Sequence, residues 1–286
     1  MSWEIRGKTV LVTGATSGIG FEASVELARR GARVVMVGRD AGRTDAARLR
    51  AIERSGSRQI TRLLCDFSSQ RAIRRLGSEV LAENERLQVL VNNAGGVNKS
   101  RRLTDDGIES TFAVNHLGYF LLTSLLRERL VASAPARVVS VASIGHRSGS
   151  LDFDDLGHER GYSIMKAYAR SKLANVLFAA ELARRLAGTG VTSNSLHPGS
   201  VDTNIWSGAP TWAKPIIFLM FRWRFISAQE GGRRIVELAC DPALEAVSGA
   251  YFENGRRVDP APLARDAALA RRLWETSERM TGLATG

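Results

Sequence analysis

"TGATSGIG" (residues 13–20) joins an apolar run to an amphipathic one. The run before it, "KTVLVTG" (8–14), is rich in β-branched residues and reads as a buried strand. The run after it, "GIGFEASVELARRG" (18–31), has the period of a helix that stops at a glycine. A glycine trio alone is weak evidence, but between a strand and a helix it is much stronger. Gly14 can make the tight turn, Gly18 lets the backbone approach a pyrophosphate, and Gly20 lets the helix pack close to the strand. Ser17 and Ile19 complete the cradle. The helix start then turns free N–H groups and the positive end of its dipole toward an anion. This stretch predicts a dinucleotide site.

The alternation continues outward. Further strands are expected at 32–39, 60–66, 88–95, 136–143 and 191–199, with a short one near 249–253. Helices are expected at 41–55, 69–84, 105–131, 162–187, 227–240 and 263–280. Near-continuous hydrophobic strands separated by helices imply a parallel sheet covered on both faces, an α/β doubly wound fold. No internal repeat or linker interrupts residues 1–286, so one domain is expected. Four strands end in polar or glycine-rich residues: Thr13-Gly14, Asn92-Asn93, Ser143 and His197-Pro198-Gly199. Ligands of open α/β sheets bind outside that edge.

Composition narrows the partners. The net charge is +11, but the basic residues are spread through helical stretches mixed with acids, and no dense basic run with interleaved aromatics appears. Solvated helix faces explain most of them, and no nucleic-acid partner is expected. The longest apolar run, Ile216–Phe221, is far too short to span a membrane, and the N-terminus lacks a signal-peptide core, so cytoplasmic residence is expected. Cys65 and Cys240 are the only cysteines, which suggests neither a disulfide framework nor a metal site.

The end of the second strand bears on which dinucleotide binds. An acid there selects NAD through the ribose 2′-OH. Here the position is Gly38, followed by Arg39. A guanidinium can bind a 2′-phosphate bidentately, so NADP(H) is the expected cofactor, with Arg43 as a second cation. Asp40 precedes a helical stretch and reads as its N-cap.

"GYSIMKAYARSK" (161–172) contains two tyrosine–lysine pairs at i, i+4: Tyr162 with Lys166, and Tyr168 with Lys172. Tyrosines six residues apart on one helix point about 120° apart, so only one can face a given site. Helix geometry alone leaves the choice open.

Together, "TGATSGIG", "NNAG" (92–95), "VNHLG" (114–118), "VASIGH" (141–146), "YARSKLAN" (168–175) and "HPGSVDT" (197–203) resemble the short-chain dehydrogenase/reductase family. The likeness covers nearly the whole chain and is nearest the retinol-dehydrogenase-like branch, with its bacterial carbonyl reductases. It implies a Rossmann-type sheet of about seven parallel strands and a catalytic tetrad on Asn115, Ser143, Tyr168 and Lys172. It chooses Tyr168 over Tyr162. It also implies an adenine contact at Asp66, an adenosine-side residue at Asn93, a carboxamide contact at Val201, a phosphate contact at Thr203, and ribose contacts from Lys172. A homodimer or homotetramer through the long helices is a further implication.

The residue types suit hydride transfer to a carbonyl. Negative charge grows on the carbonyl oxygen, and a proton must reach it. A free tyrosine, with a pKa near ~10, is a poor acid–base group at neutral pH. A lysine one turn away favours its phenolate. Ser143 can hydrogen-bond the oxygen as charge develops. Asn115 is expected to support a water linking Lys172 to solvent.

Residues 200–226 concentrate Trp206, Trp212, Phe218, Phe221, Trp223 and Phe225, well above the chain's 7% aromatic content. A lid over a large apolar substrate is expected; the rival is a membrane-surface segment flanked by Lys214, Arg222 and Arg224. The expected substrate is a hydrophobic ketone or aldehyde. The arginine-, alanine- and glycine-rich composition suggests a GC-rich bacterial origin and an aromatic polyketide of anthracycline type, made in antibiotic biosynthesis. Retinoid- or steroid-type substrates are the alternative, and an NADP(H)-sensing regulator without turnover is the alternative of another class.

Overall fold

The computed structural model describes residues 3–201 and 225–283. Strand β1 (Thr9–Thr13) is followed by helix α1 (Gly18–Arg29), β2 (Arg33–Gly38), α2 (Ala41–Ser55), β3 (Ile60–Leu64), α3 (Gln70–Glu83) and β4 (Val89–Asn92). Then come α4 (Ser110–Phe112), a π-helical turn (Ala113–Leu117), α5 (Gly118–Ala132), β5 (Ala136–Val141), α6 (Ile164–Arg185) and β6 (Val191–His197). A two-stranded pair, β7 (Ser200–Val201) with β8 (Phe225–Ile226), precedes α7 (Ala228–Cys240), β9 (Tyr251–Glu253), β10 (Arg256–Val258) and α8 (Ala267–Thr281).

The main sheet runs β10-β9-β6-β5-β4-β1-β2-β3. From β3 to β9 every neighbouring pair is parallel. Those strands are the seven expected. The eighth, β10, pairs antiparallel with β9 across a turn at Asn254 and Gly255, both at positive φ. The strands are apolar on both sides because helices cover both. Val10, Val12, Val34, Met36, Val89 and Val91 pack toward α1, α2 and α7. Leu11, Val35, Val37, Leu90 and Val138 pack toward α3, α5 and α6. The strand order reverses between β1 and β4, which opens the crevice where ligands of this fold bind.

Two helix starts lie later than expected. The helix expected from residue 105 begins at Ser110, because Glu109 caps it by accepting hydrogen bonds from the N–H groups of Thr111 (2.7 Å) and Phe112 (2.8 Å). The helix expected from residue 162 begins at Ile164, with Ser163 as N-cap in extended conformation. Tyr162 therefore lies outside the helix.

The outer face of α5 and α6, where the resemblance places self-association, is already covered. Trp274 of α8 packs edge-on against Phe120 (4.9 Å between ring centres) and stacks on Phe178 (5.9 Å). Ser277 hydrogen-bonds His116 at 3.0 Å, and Arg74 and Gln70 hold the carbonyls at the end of α8. Between Ala167 and Leu182, α6 is buried almost all round. The surplus arginine sits on helix faces opposite carboxylates, as in Arg30–Glu26, Arg54–Glu22 and Arg185–Glu181. The pairs on exposed faces contribute little stability each. Both cysteines are buried thiols. Among the described residues, no helix is long and apolar enough to cross a membrane.

Candidate active site

The loop between β1 and α1 can be built only with glycine at three points. Gly14 and Gly18 have φ of 65° and 58°. A Cβ on Gly14 would stand 2.8 Å from the Ala94 backbone, and one on Gly20 would stand 2.3 Å from the Asn93 amide nitrogen. Ser17 occupies the N-cap position of α1 without using its side chain there, so the first-turn N–H groups remain directed at the crevice. Ile19 is partly buried against the core beneath the loop. These features fit a bound pyrophosphate.

Asn93, expected on the adenosine side, reaches the phosphate loop. Its amide donates to the carbonyls of Thr13 (2.8 Å) and Gly14 (3.2 Å), which ties the end of β4 to the phosphate loop. The Thr13 hydroxyl, noted in the sequence only as a polar strand end, accepts from the N–H groups of Asn93 (2.8 Å) and Ala94 (3.0 Å). A polar side chain at the end of an otherwise apolar strand was its signal. Asp66 follows β3 at the rim of the crevice. One of its carboxylate oxygens is engaged by the Ser68 N–H (2.9 Å) and hydroxyl (2.7 Å).

At the end of β2, a Cβ on Gly38 would stand 2.3 Å from the Thr44 hydroxyl and 2.5 Å from the Thr16 methyl. An acidic side chain has no room there. Asp40 caps α2 as expected, accepting the Arg43 N–H at 2.8 Å. Thr16, Arg39, Asp40 and Arg43 line a cleft of about 280 Å³. Thr16 is a residue that sequence reasoning missed.

The four candidate catalytic residues converge from three elements. Ser143 follows β5, with its hydroxyl oxygen accepting the Gly145 N–H at 3.1 Å, so its own hydrogen is free to point outward. Tyr168 and Lys172 lie one turn apart on α6, and the Lys172 Nζ stands 5.7 Å from the centre of the Tyr168 ring. The ring of Tyr119, from α5, lies 6.0 Å from the same nitrogen. Lys172 donates to the Val141 carbonyl at 3.0 Å. Burial lowers its pKa to about 8. Burial pushes the Tyr168 phenol upward, and the neighbouring Ser143 hydroxyl opposes that shift.

Asn115 sits in the π-helical turn. Its Oδ1 accepts the Gly96 N–H (2.9 Å), and its Nδ2 donates to the Gly96 carbonyl (3.0 Å) and the Ser171 hydroxyl (3.0 Å). The side chain therefore ties the loop after β4 to α6 beside Lys172. Tyr162 is elsewhere, with its hydroxyl donating to the Asn98 carbonyl at 3.0 Å. Lys166 is exposed. Because Tyr162 precedes the helix, the two form no helical pair.

Val201 lies in β7, paired with Ile226 of β8. Upstream of it, Arg234 of α7 donates to the Pro198 carbonyl at 2.9 Å and holds the "HPG" turn, a role no local motif announced. Thr203 and residues 202–224 of the expected lid lie outside the described residues.

Fold and site define a dinucleotide-binding oxidoreductase, and comparison with known proteins gives the family. The short chain dehydrogenase profile matches residues 8–214, so the chain belongs to that family, whose members act on CH–OH and C=O groups with nicotinamide cofactors. It is 44% identical to retinol dehydrogenase 14 of Mus musculus, over 98% of this chain and 87% of that one. It is 41% identical to retinol dehydrogenase 13 of Homo sapiens, over 98% and 86% of the two chains. Among solved structures, an uncharacterised protein from Mycobacterium paratuberculosis superposes with a TM-score of 0.80 at 33% identity, covering 98% and 96%. Pseudomonas aeruginosa RhlG, solved as an NADP active-site complex, shares the fold at 24% identity, with a TM-score of 0.72 and coverage of 93% and 98%.

Proposed function

We propose that this protein is an NADP(H)-dependent oxidoreductase that interconverts carbonyl and alcohol on a hydrophobic, retinoid-type substrate. The convergence of Ser143, Tyr168 and Lys172 at the C-terminal sheet edge carries this reading. The bound nicotinamide supplies or accepts the hydride. In reduction the Tyr168 hydroxyl gives its proton to the carbonyl oxygen; in oxidation it takes one back. Lys172 favours the phenolate and reaches toward ribose hydroxyls. Ser143 donates its free hydrogen to the same oxygen. Asn115 uses its side chain to hold Gly96, so water that relays protons from Lys172 would rest on its main chain, in a turn where the regular helical hydrogen-bond pattern is interrupted.

The mouth of the site supports an apolar substrate. Ile144, next to Ser143, is 44% exposed, and Met165, one turn before Tyr168, is 53% exposed. The relatives' names favour a retinoid over the anthracycline-type ketone. The test follows loss of reduced-nicotinamide absorbance with retinal, steroid and anthracycline carbonyls, using NADPH and NADH in parallel. Retinal turnover with NADPH is expected. A better anthracycline substrate would restore the polyketide reading, and NADPH binding without any turnover would leave a regulator.

The NADP(H) preference rests on Gly38, Arg39 and Arg43. Arg39→Ala is expected to weaken NADPH binding about 10- to 100-fold, the size of a charged hydrogen bond of ~1.5–3 kcal/mol, and to leave NADH binding unchanged. Equal losses for both cofactors in a fluorescence titration would refute the 2′-phosphate role.

Self-association through the long helices is proposed not to occur, because α8 covers that face. Light scattering is expected to give the mass of one chain. A dimer cross-linked through α6 would contradict this.

A further inference from the structure

His146 closes the "VASIGH" motif, and the proposed chemistry leaves it without a task. It lies in the short 3-10 turn Ile144–Ser148 that follows Ser143. The side chain is fully buried. Its Nδ1 is 2.8 Å from the Ser143 carbonyl oxygen, and its Nε2 is 3.0 Å from the backbone nitrogen of Ala261. These partners fix the tautomer. A backbone N–H can only donate, so the His146 Nε2 must accept and Nδ1 must carry the hydrogen, which it gives to Ser143. The Ser143 carbonyl also accepts the His146 N–H at 3.1 Å, so both bonds from His146 hold one carbonyl. The ring lies against Tyr251 of β9, with 4.7 Å between ring centres. The imidazole thus bridges the backbone of the candidate catalytic serine to a segment more than a hundred residues downstream.

We propose that His146, in its neutral Nδ1–H form, is a positioning residue that clamps Ser143 in place by bridging its carbonyl, through the ring, to the Ala261 N–H. This rests on the reading of Ser143 as the hydrogen-bond donor to the substrate oxygen. Direction is what a serine hydroxyl contributes here, and a displacement of about 1 Å at such a site can cost ~100-fold in rate. The Ser143 Oγ is already fixed on one side by the Gly145 N–H. His146 fixes the backbone that carries it.

The clamp has one electrical requirement. A second proton on the ring would set two N–H donors against each other at Ala261. Burial lowers the His146 pKa below the usual imidazole range. The charged and titratable neighbours pull in different directions. Arg147 on the same turn disfavours the imidazolium, and Glu253 of β9 favours it. His197, at the end of β6, is itself held down to about 4 by burial, and stays neutral beside it. Tyr251 of β9 is held neutral by burial. Because the folded pKa lies below the unfolded one, the clamp is intact above the ordinary imidazole range. It weakens as pH falls toward the folded value.

The test compares two amides that each copy half of the ring. In His146→Asn, the amide nitrogen stands near the Nδ1 position and can still donate to Ser143. In His146→Gln, the amide stands near the Nε2 position and can serve only Ala261. With retinal and NADPH, His146→Gln is expected to lower kcat about 10- to 100-fold and His146→Asn less than about 5-fold, both with NADPH affinity within about 2-fold of the parent. In a Ser143→Ala background, His146→Gln is expected to cost nothing more, since it acts through the missing hydroxyl. The acid loss of kcat in the parent is expected to shift in His146→Asn, which has no imidazole to protonate. A full additional loss in the Ser143→Ala background, or parental kcat in His146→Gln, overturns the clamp. Ser143→Ala that is as active as the parent overturns the site reading beneath it, and is recognised as such without any His146 variant.

Discussion

Tyr168→Phe is expected to lower kcat by about 10³-fold, with NADPH affinity unchanged. The substitution removes one hydroxyl. The ring remains packed on α6, and the Lys172 Nζ keeps its place 5.7 Å from the ring centre. What goes is the proposed proton donor to the substrate oxygen. The hydroxyl is poorly suited to that role by itself, because burial pushes its pKa up against the opposing pull of the neighbouring Ser143 hydroxyl. Lys172 and the positive end state of the oxidised nicotinamide must supply the remaining pull toward phenolate. The paired control is Tyr162→Phe, which removes only the bond to the Asn98 carbonyl. That variant is expected to keep kcat within about 3-fold and to lose no more than ~1.5 kcal/mol of stability. Steady-state kinetics on the two variants decide between them. Full activity in Tyr168→Phe would remove Tyr168 from the chemistry.

The alternation of strands and helices was legible because both faces of the sheet are covered. Every strand then had to be apolar along its length, and the helices between them had to carry a stripe. The glycine loop was legible because Gly14, Gly18 and Gly20 each answer a steric demand of the turn, and that demand is local. Helix starts were less so. Residue 105 and residue 110 both suit a helix by periodicity, and the choice falls to the Glu109 carboxylate, which caps two N–H groups. The π-helical turn at Ala113–Leu117 leaves no local signature. The β9–β10 hairpin did leave one: Asn254-Gly255 is a turn pair that takes positive φ at both positions, and it was overlooked. The roles of Asn93, His146 and Arg234 depend on partners far along the chain, at Gly14, Ala261 and Pro198. No periodicity carries such information. The packing of α8 over Phe120 and Phe178 is of the same kind. The choice between the two tyrosines became physical only when Ser163 proved to be the helix cap, leaving Tyr162 outside.

Lys172→Met is expected to lower kcat/KM by about 10³-fold and, at neutral pH, to make the protein more stable by up to ~3 kcal/mol. The two effects have one cause. The ammonium is buried, and its only direct bond among the described residues is to the Val141 carbonyl at 3.0 Å, with the Tyr119 and Tyr168 rings beside it. Burial lowers its pKa from 10.5 to about 8, and a shift of that size corresponds to ~3 kcal/mol of native-state cost. Methionine fills similar space without the charge, and the Val141 carbonyl keeps the Asn175 amide at 3.3 Å. The sign can be checked against pH. Below about 8 the lysine is protonated in both folded and unfolded chains, and the native state bears the whole cost. Between about 8 and 10.5 the folded chain loses its proton first, so the parent gains stability as pH rises and the variant does not. The difference in Tm between variant and parent should therefore be widest below pH 8 and close as pH approaches 10.5. A parent that is the more stable at neutral pH would mean that the Val141 bond and the two rings outweigh the desolvation of the ammonium. A lysine kept at a stability cost fits a charge that is used, and the use proposed beside Tyr168 is to bring its phenol into range for proton transfer.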